Sequence, residues 1–202
     1  FQYFVLEEGN ACKARNYGAE HATGNYISFL PADAVLKPGQ ASIWCRWLDK
    51  HPEYAGLYAG YIFVDERKLL GEPEAPDWQH VYPYPSQPFD PYLLEITNFI
   101  DGSFPIRKEV FDKVKWDPEI ESLQDWDLWL GVVKDLGLNV LYLQDFAFET
   151  SFPHKDGLSS HSSKNWVEIT NKIKAKHGIK LRKVCVSSLG AEVHGMKVAK
   201  MI

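Results

Sequence analysis

Short apolar runs alternate with amphipathic stretches along this chain, and this alternation narrows the choice of fold more than any other feature. The run "GLYAGYIFVDE" at 56–66 is rich in β-branched and aromatic residues, which predicts a strand. The stretch "QASIWCRWLDKH" follows Pro38-Gly39 and stops before Pro52, which predicts a helix. Repetition of this β–α–β order favours an α/β sheet with helices on its faces.

The same patterns predict the remaining elements of the chain. Strands are predicted at 2–6, at 25–30 as a buried parallel strand, through Phe99 and Ile106, and over "LNVLYL"; helices are predicted at 11–24, over "EVFDKV", over "SLQDWDLWLGVVKDLG", and at 165–177. The final stretch "KVCVSSLGAEVHGMKVAKMI" predicts a strand, a turn of small residues and a helix. The segment 67–90 is rich in proline and is expected to be a loop, either a functional lid or a structured surface excursion.

Composition limits the partners and the setting of this protein. Its 22 basic and 27 acidic residues give a net charge of −5, which disfavours nucleic acid and anionic membranes as partners. The sequence contains no apolar run long enough for a membrane span, and its opening "FQYFVLEEGN" lacks the basic start and long apolar stretch typical of a signal peptide. Its three cysteines are widely spaced, so we expect free thiols and a reducing, cytoplasmic location.

Two acidic segments are candidates for chemistry from spacing alone. Asp33 lies just past a predicted strand end, where a carboxylate suits a metal or ribose contact, although it equally suits a turn cap. Asp125 and Asp127 open a predicted helix beside Trp126 and Trp129. Carboxylates at that place are either helix caps or, with aromatic walls beside them, a general base.

Histidines in the loop "SFPHKDGLSSHS" form the third candidate. His154 and His161 lie there among small polar residues, and a loop histidine is a plausible metal ligand or simply a surface residue. The chain has no P-loop, GxGxxG, GxSxG or HExxH motif. The usual signatures of phosphate-loop ATPases, dehydrogenases, serine hydrolases and zincin proteases are therefore missing.

Three ordered blocks of the chain resemble family 2 glycosyltransferases of the GT-A fold. They are "ACKARNYGAEHATGNYISFLPADAVLKPG", "IRKEVFDKVKWDPEIESLQDWDLWLGVVKDLG" and "FPHKDGLS". The first resembles the family's "ARN-G…A-G-YI-FLD-DD-L-P" block and the second its "RR-VF-KVG-FDE…ED-DLWLR" block. The resemblance implies a GT-A (Rossmann-like), mixed and mostly parallel sheet with helices on both faces, lacking the first strands of the nucleotide-binding half.

The resemblance also implies an inverting transfer of a sugar from a nucleotide-diphosphate sugar to a hydroxyl acceptor on a glycan or glycoconjugate. Mn²⁺ or Mg²⁺ would neutralise the leaving diphosphate, and a carboxylate would deprotonate the acceptor. The implied roles are a catalytic base for Asp125, donor binding for Arg15, Asn16 and Asp33, and metal binding for Asp33 and His154. As a further hypothesis, we expect acceptor binding by the aromatic residues Trp78, Tyr84 and Trp126.

This chain departs from the family pattern at its metal motif. Where the family has "FLDxDD", residues 29–34 read "FLPADA", so Pro31 and Ala34 replace two of three carboxylates, and Gly131 replaces the basic residue of "LWLR". One carboxylate and one histidine bind these metals poorly. The alternative expectation is therefore a catalytically degenerate GT-A module that acts as a scaffold or glycan-binding domain.

The domain organisation follows from the same alignment of motifs. We expect residues 1–180 to form a partial family 2-like GT-A domain, because Phe1 falls near the family's third strand. Residues 181–202 would be a C-terminal strand and helix, either the start of a second Rossmann-like domain or a final pair packed on the first. A protein of this kind would be part of a longer multi-domain chain or a homo-oligomer.

Overall fold

The computed structural model describes most of the chain. It covers residues 2–7, 9–32, 34–64, 81–84, 86–151, 165–180, 191–193 and 196–198. The predicted loop histidines, Trp78 and Asp33 lie outside these residues, as does most of the proline-rich segment.

A six-stranded mixed sheet forms the centre of the described structure. Its strands are β1 (Tyr26–Ile27), β2 (Ala34–Leu36), β3 (Tyr54–Val64), β4 (Val81–Tyr84), β5 (Ile106–Arg107) and β6 (Asn139–Ser151). They are ordered β1-β5-β3-β6-β2, with β4 paired to β3. The α/β class and the mixed sheet are confirmed.

Strand direction differs from the expectation. Of the described pairings in this sheet, only β3 with β6 is parallel, and β1 with β5, β3 with β5, β3 with β4 and β2 with β6 are antiparallel. A mostly parallel sheet was therefore the wrong expectation for these residues, and so was a parallel strand at 25–30. Alternating elements in the sequence predict which faces are covered, but apart from β3 and β4 the neighbouring strands of this sheet are not consecutive in the chain, so the pattern does not determine their directions.

Apart from the short helix Pro91–Leu94, which was not predicted, the helices lie close to their predicted positions. They are α1 (Ala11–His21), α2 (Gln40–Lys50), α3 (Pro91–Leu94), α4 (Lys108–Val114), α5 (Gln124–Leu130) and α6 (Trp166–Lys176), and a turn of wider π-helix, Gly131–Asp135, continues α5. Asn10 caps α1 by accepting a hydrogen bond from the amide of Lys13 at 3.0 Å. Gly39 precedes α2 with φ of 76°, a left-handed conformation that favours glycine.

Four segments differ from their predicted structure. Residues 2–6 have no strand partner among the described residues, and 98–104 form a turn instead of a strand. β4 is a strand that contains Pro83, which is compatible with a strand paired on one side because proline cannot donate to a second neighbour. Ala191–Val193 (β7) and Met196–Val198 (β8) pair with each other antiparallel, where a helix was expected.

Arg107 of β5 joins this strand to β3 and to the end of α2. Its guanidinium donates to the carbonyl oxygens of Tyr54 at 2.8 Å, Leu48 at 2.7 Å and His51 at 3.0 Å. The last two carbonyls lie at the C-terminal end of α2, where backbone acceptors have no partner within the helix. Arg107 therefore fixes α2 and β3 to β5. No helix among the described residues is long and apolar enough to cross a lipid bilayer.

The close contact between β3 and the backbone at the start of β5 requires a glycine at position 56. A Cβ there would lie 2.6 Å from the carbonyl oxygen of Pro105 and 3.2 Å from the Cα of Ile106, and both are backbone atoms. We expect Gly56→Ala to destabilise the fold by about 1–3 kcal/mol because the sheet must separate to admit the methyl group.

Gly18→Ala is the matched control for this substitution. A Cβ at Gly18 meets nothing within 4 Å, and the residue lies within α1. We expect this variant to gain up to about 1 kcal/mol from helix propensity. Urea unfolding of both variants measures the difference, and equal midpoints for the two would contradict the close contact at Gly56.

Candidate active site

Helix α5 carries Asp125 and is anchored by two buried tryptophans. Trp126 is 2% exposed and its indole N–H donates to the carbonyl oxygen of Leu94 at 2.6 Å. Trp129 is fully buried and donates to the carbonyl oxygen of Asp101 at 3.2 Å. A buried indole needs such an acceptor, so these two bonds fix the position of α5 against residues 94–101.

The residue before α5 has a strained backbone. Leu123 has φ of 57°, in the left-handed region that a leucine rarely adopts. Conformations of this kind cost about 1–3 kcal/mol and persist only where the surroundings enforce them. Here the amide of Asp127 bonds to the carbonyl oxygen of Leu123 at 3.1 Å, so the strained residue starts the helix directly before Gln124 and Asp125.

Asp125 is half-buried and lies against the turn at 98–103. One carboxylate oxygen accepts from the amide of Trp126 at 2.9 Å. A Cβ built on Gly102 would lie 3.2 Å from the Cβ of Asp125, so the backbone of the turn passes directly beside it. Burial, and then the negative charge of Asp101, raise the pKa of Asp125 to about 6, against the opposing effect of the Asn98 side chain.

A pKa near 6 suits a carboxylate that takes a proton near neutral pH. It remains ionised at pH 7, yet it is a much stronger base than an ordinary aspartate. The sequence pattern identified Asp125 but not Asp101 or Asn98, which lie more than 20 residues away. No motif in the sequence marks these two residues.

The residues predicted to bind the donor have contacts of their own within the chain. Arg15 donates to the side-chain oxygen of Gln124 at 2.9 Å and lies over the ring of Trp116, 4.6 Å from its centroid. Asn16 exchanges two hydrogen bonds with the backbone of Trp116, at 2.8 and 3.0 Å. Arg15 therefore ties α1 to the first residue of α5, next to Asp125, and Asn16 ties α1 to Trp116. Their donor-binding role stays a prediction.

The prediction that Trp126 binds the acceptor does not fit its position. Its ring is 2% exposed, and its N–H is already bonded to Leu94, so neither is available to a ligand. Periodicity cannot separate a core indole from an exposed one at the start of a helix. Of the other two predicted acceptor residues, Trp78 lies outside the described residues, and for Tyr84 only the backbone in β4 is described.

No metal centre can be assembled from the residues that the structure describes. They contain no group of three or more histidine, cysteine, aspartate or glutamate side chains that could hold an ion. Asp33 and His154, the two predicted ligands, lie outside the described ranges. Ala34 begins β2 and is 8% exposed, so the family's carboxylate position is here a buried methyl group in the sheet.

A buried charge cluster, which the sequence pattern did not predict, lies on α5 around Asp127. Its carboxylate is 2% exposed and contacts His177 at 3.0 Å and the ammonium of Lys176 at 2.8 Å. His177 also contacts Asp135 at 2.7 Å, and Lys176 contacts Asp117 at 2.7 Å. The cluster thereby fixes the C-terminal end of α6 to α5, so Asp127 is a structural residue.

Gly131 lies beside this cluster, which explains its departure from the basic residue of the family pattern. A Cβ there would lie 3.2 Å from the Cγ1 of Val114 and 3.9 Å from the Cε1 of His177. A long basic side chain at position 131 would therefore press on α4 and on the histidine of the cluster.

Comparison with known proteins identifies the family. The model of glycosyl transferase family 2 matches residues 1–115, which is more than half of the 202-residue chain. Two relatives bear the name of glycosyltransferases: one from Rickettsia bellii is 27% identical over 66% of this chain and 19% of its own length, and WcaA of Escherichia coli (strain K12) is 25% identical over 63% of this chain and 43% of its own.

Solved structures agree with the fold. The structure of S. aureus TarS 1-349 in complex with UDP-GlcNAc superposes with a TM-score of 0.54 at 14% identity, covering 85% of this chain and 48% of that one. A longer S. aureus TarS structure gives a TM-score of 0.50 with 28% of its length covered. The chain thus spans less than half the length of these relatives and structures.

The charge cluster makes the stability of this protein depend on His177. We expect His177→Ala to lower the free energy of unfolding by about 3–5 kcal/mol, because it breaks a buried ion pair and leaves Asp127 with Lys176 alone. Lys134→Ala is the control: it removes an exposed pair with Glu95 at 2.8 Å and should cost less than about 1 kcal/mol.

The cost of His177→Ala should also depend on pH. Burial lowers the pKa of His177, but bonds to Asp127 and Asp135 outweigh this and leave that pKa raised. The stabilisation is therefore complete below the ordinary histidine pKa and is lost as pH rises through the raised value. Urea unfolding from pH 5 to 9 should show the difference from wild type shrinking with pH, and a constant difference would contradict a charged His177.

Proposed function

This chain belongs to glycosyl transferase family 2, and we propose that it forms the acceptor-activating part of an inverting glycosyltransferase with Asp125 as the general base. The observation that carries this proposal is the half-buried Asp125 carboxyl, fixed at the start of α5, whose pKa is raised to about 6. By the resemblance of "LQDWDLWL" to the family's "ED-DLWLR" block, this residue would also occupy the position of the base.

The proposed step is a single displacement at the anomeric carbon. The acceptor hydroxyl transfers its proton to the Asp125 carboxylate while its oxygen bonds to the anomeric carbon. The bond between that carbon and the diphosphate oxygen breaks, and the nucleoside diphosphate leaves with the electron pair. Attack from the face opposite the leaving group inverts the configuration, so only one carboxylate is needed for proton transfer.

A nucleotide-diphosphate sugar is the proposed donor. Support comes from the family and from TarS, which was solved with UDP-GlcNAc. Arg15, Asn16 and Asp33 remain the proposed donor contacts, and Asp33 with His154 the proposed contacts of Mn²⁺ or Mg²⁺. A glycan or glycoconjugate is the proposed acceptor. Because the chain spans less than half of its relatives, these assignments concern the whole protein that carries it.

A second proposal is a catalytically degenerate module that binds glycans or acts as a scaffold. The observation favouring it is Ala34, which is buried in β2 where the family has a carboxylate, together with Pro31 in the same motif. Calorimetry with nucleotide-sugars and Mn²⁺, on the longer protein that carries this chain together with the expected first strands of the nucleotide-binding half, separates the two proposals. Metal-dependent donor binding near micromolar affinity supports the enzyme, and no donor binding supports the degenerate module.

Replacement of the base tests the enzymatic proposal directly. We expect Asp125→Asn to lower the rate of sugar transfer by about 10²–10⁴-fold, which is the usual contribution of a general base, while the unfolding midpoint changes little. Asp112→Asn is the control, because Asp112 is exposed and pairs with Lys108 four residues away, at 3.0 Å. Turnover of Asp125→Asn at the wild-type rate would refute the role of Asp125.

A further inference from the structure

The turn at 98–103 is fixed rigidly beside Asp125. The amide of Ser103 donates to the Asp101 carboxylate at 2.7 Å, and the hydroxyl of Ser28 donates to the carbonyl oxygen of Ser103 at 2.6 Å. The indole N–H of Trp129 donates to the carbonyl oxygen of Asp101 at 3.2 Å. These bonds leave the turn little freedom to move away from α5.

Gly102 shows how tightly the turn packs. A Cβ at this position would lie 2.6 Å from the Cη2 of Trp116, which is 3% exposed, and 3.2 Å from the Cβ of Asp125. The turn is therefore enclosed between a buried indole and the proposed base. Asp101, next to Gly102, and Asn98, at the start of the turn, both act on the Asp125 carboxyl.

We propose that Asp101 is a positioning residue for the proposed base Asp125, and that Asn98 acts on the same carboxyl in the opposite sense. Asp101 repels negative charge on Asp125, whereas the Asn98 amide favours it. The side-chain oxygen of Asn98 accepts from the amide of Ile100 at 3.2 Å, which leaves its N–H₂ group to face the carboxyl. This inference rests on the proposed function for its catalytic meaning.

Other charged groups near α5 are engaged elsewhere. Arg15 of α1 donates to Gln124, and Lys174 of α6 lies over the Trp126 ring at 5.6 Å from its centroid. Asp127 is paired with Lys176 and His177. Asp101 is therefore the charged residue whose proximity to Asp125 accounts for the electrostatic part of its altered proton affinity.

The consequence is that the proton affinity of Asp125 is higher than that of an ordinary aspartate, as a general base near neutral pH requires. A lone half-buried aspartate gains proton affinity from burial only, whereas a second carboxylate raises it further. One pH unit below the pKa of Asp125, about a tenth of the molecules keep this carboxyl ionised. Removal of the Asp101 charge should increase that fraction, since Asp125 would then lose its proton at lower pH.

Carbon-13 NMR titration of aspartate carboxyls in the full chain tests this inference without a transfer assay. The Asp125 signal is assigned by its loss in Asp125→Asn. We expect it to titrate near pH 6 in the wild type, at lower pH in Asp101→Asn, and at higher pH in Asn98→Ala. The Asn side chain of Asp101→Asn can still accept the hydrogen bond from the Ser103 amide, so the turn is retained. If Asp101→Asn does not fold, Asp101→Ser is a second variant whose side chain can accept this bond.

Asp112→Asn is the control and should leave the Asp125 titration unchanged, because Asp112 pairs with Lys108 on the exposed side of α4. An unchanged Asp125 midpoint in folded Asp101→Asn or Asp101→Ser overturns the positioning role, whatever the transfer rates are. Full transfer by Asp125→Asn would instead refute the proposed function and leave the measured coupling between the two carboxyls intact.

Discussion

Two indole hydrogen bonds hold the candidate site together. Trp126 and Trp129 lie on α5, and both are essentially excluded from solvent. Their N–H groups donate to the carbonyl oxygens of Leu94 and Asp101, which lie at the two ends of the segment 94–101. An indole N–H buried without an acceptor costs about 1–3 kcal/mol, so α5 cannot slide along this segment without losing both bonds. Asp125, directly before Trp126 in sequence, is placed by the same bonds.

Helix α5 thus separates two carboxylates of different purpose within three residues. Asp125 is half-buried beside Asp101, and its proton affinity is raised by burial and by that charge. Asp127 is fully enclosed, but Lys176 and His177 compensate its charge and join α6 to the helix. Asp125, which has no cationic partner among the described residues, is therefore suited to a reactive role, and the paired Asp127 is suited to a structural one.

The sequence predicted elements whose signals are local. Pro38-Gly39 marks the start of α2, and the acidic pair with its apolar stripe marks α5. Strand direction, the turn at 98–103 and the strand containing Pro83 were not predicted, because pairing depends on residues far apart in the chain.

The same limit applies to the candidate site. Asp125 was identified from a motif. Asp101, which lies beside it, is 24 residues earlier in the chain, and His177, which contacts Asp127, is 50 residues later. Trp126 was predicted as an acceptor wall and is a core residue, because an indole suits either place until its burial is known.

The pH dependence of sugar transfer by the wild-type protein tests the central claim most directly. If Asp125 is the base, kcat/KM should fall on the acid side with a single ionisation near pH 6, since that constant reports the free enzyme's essential base. A rate that stays flat from pH 7 down to pH 5 would contradict the assignment of Asp125 as the group that accepts the proton.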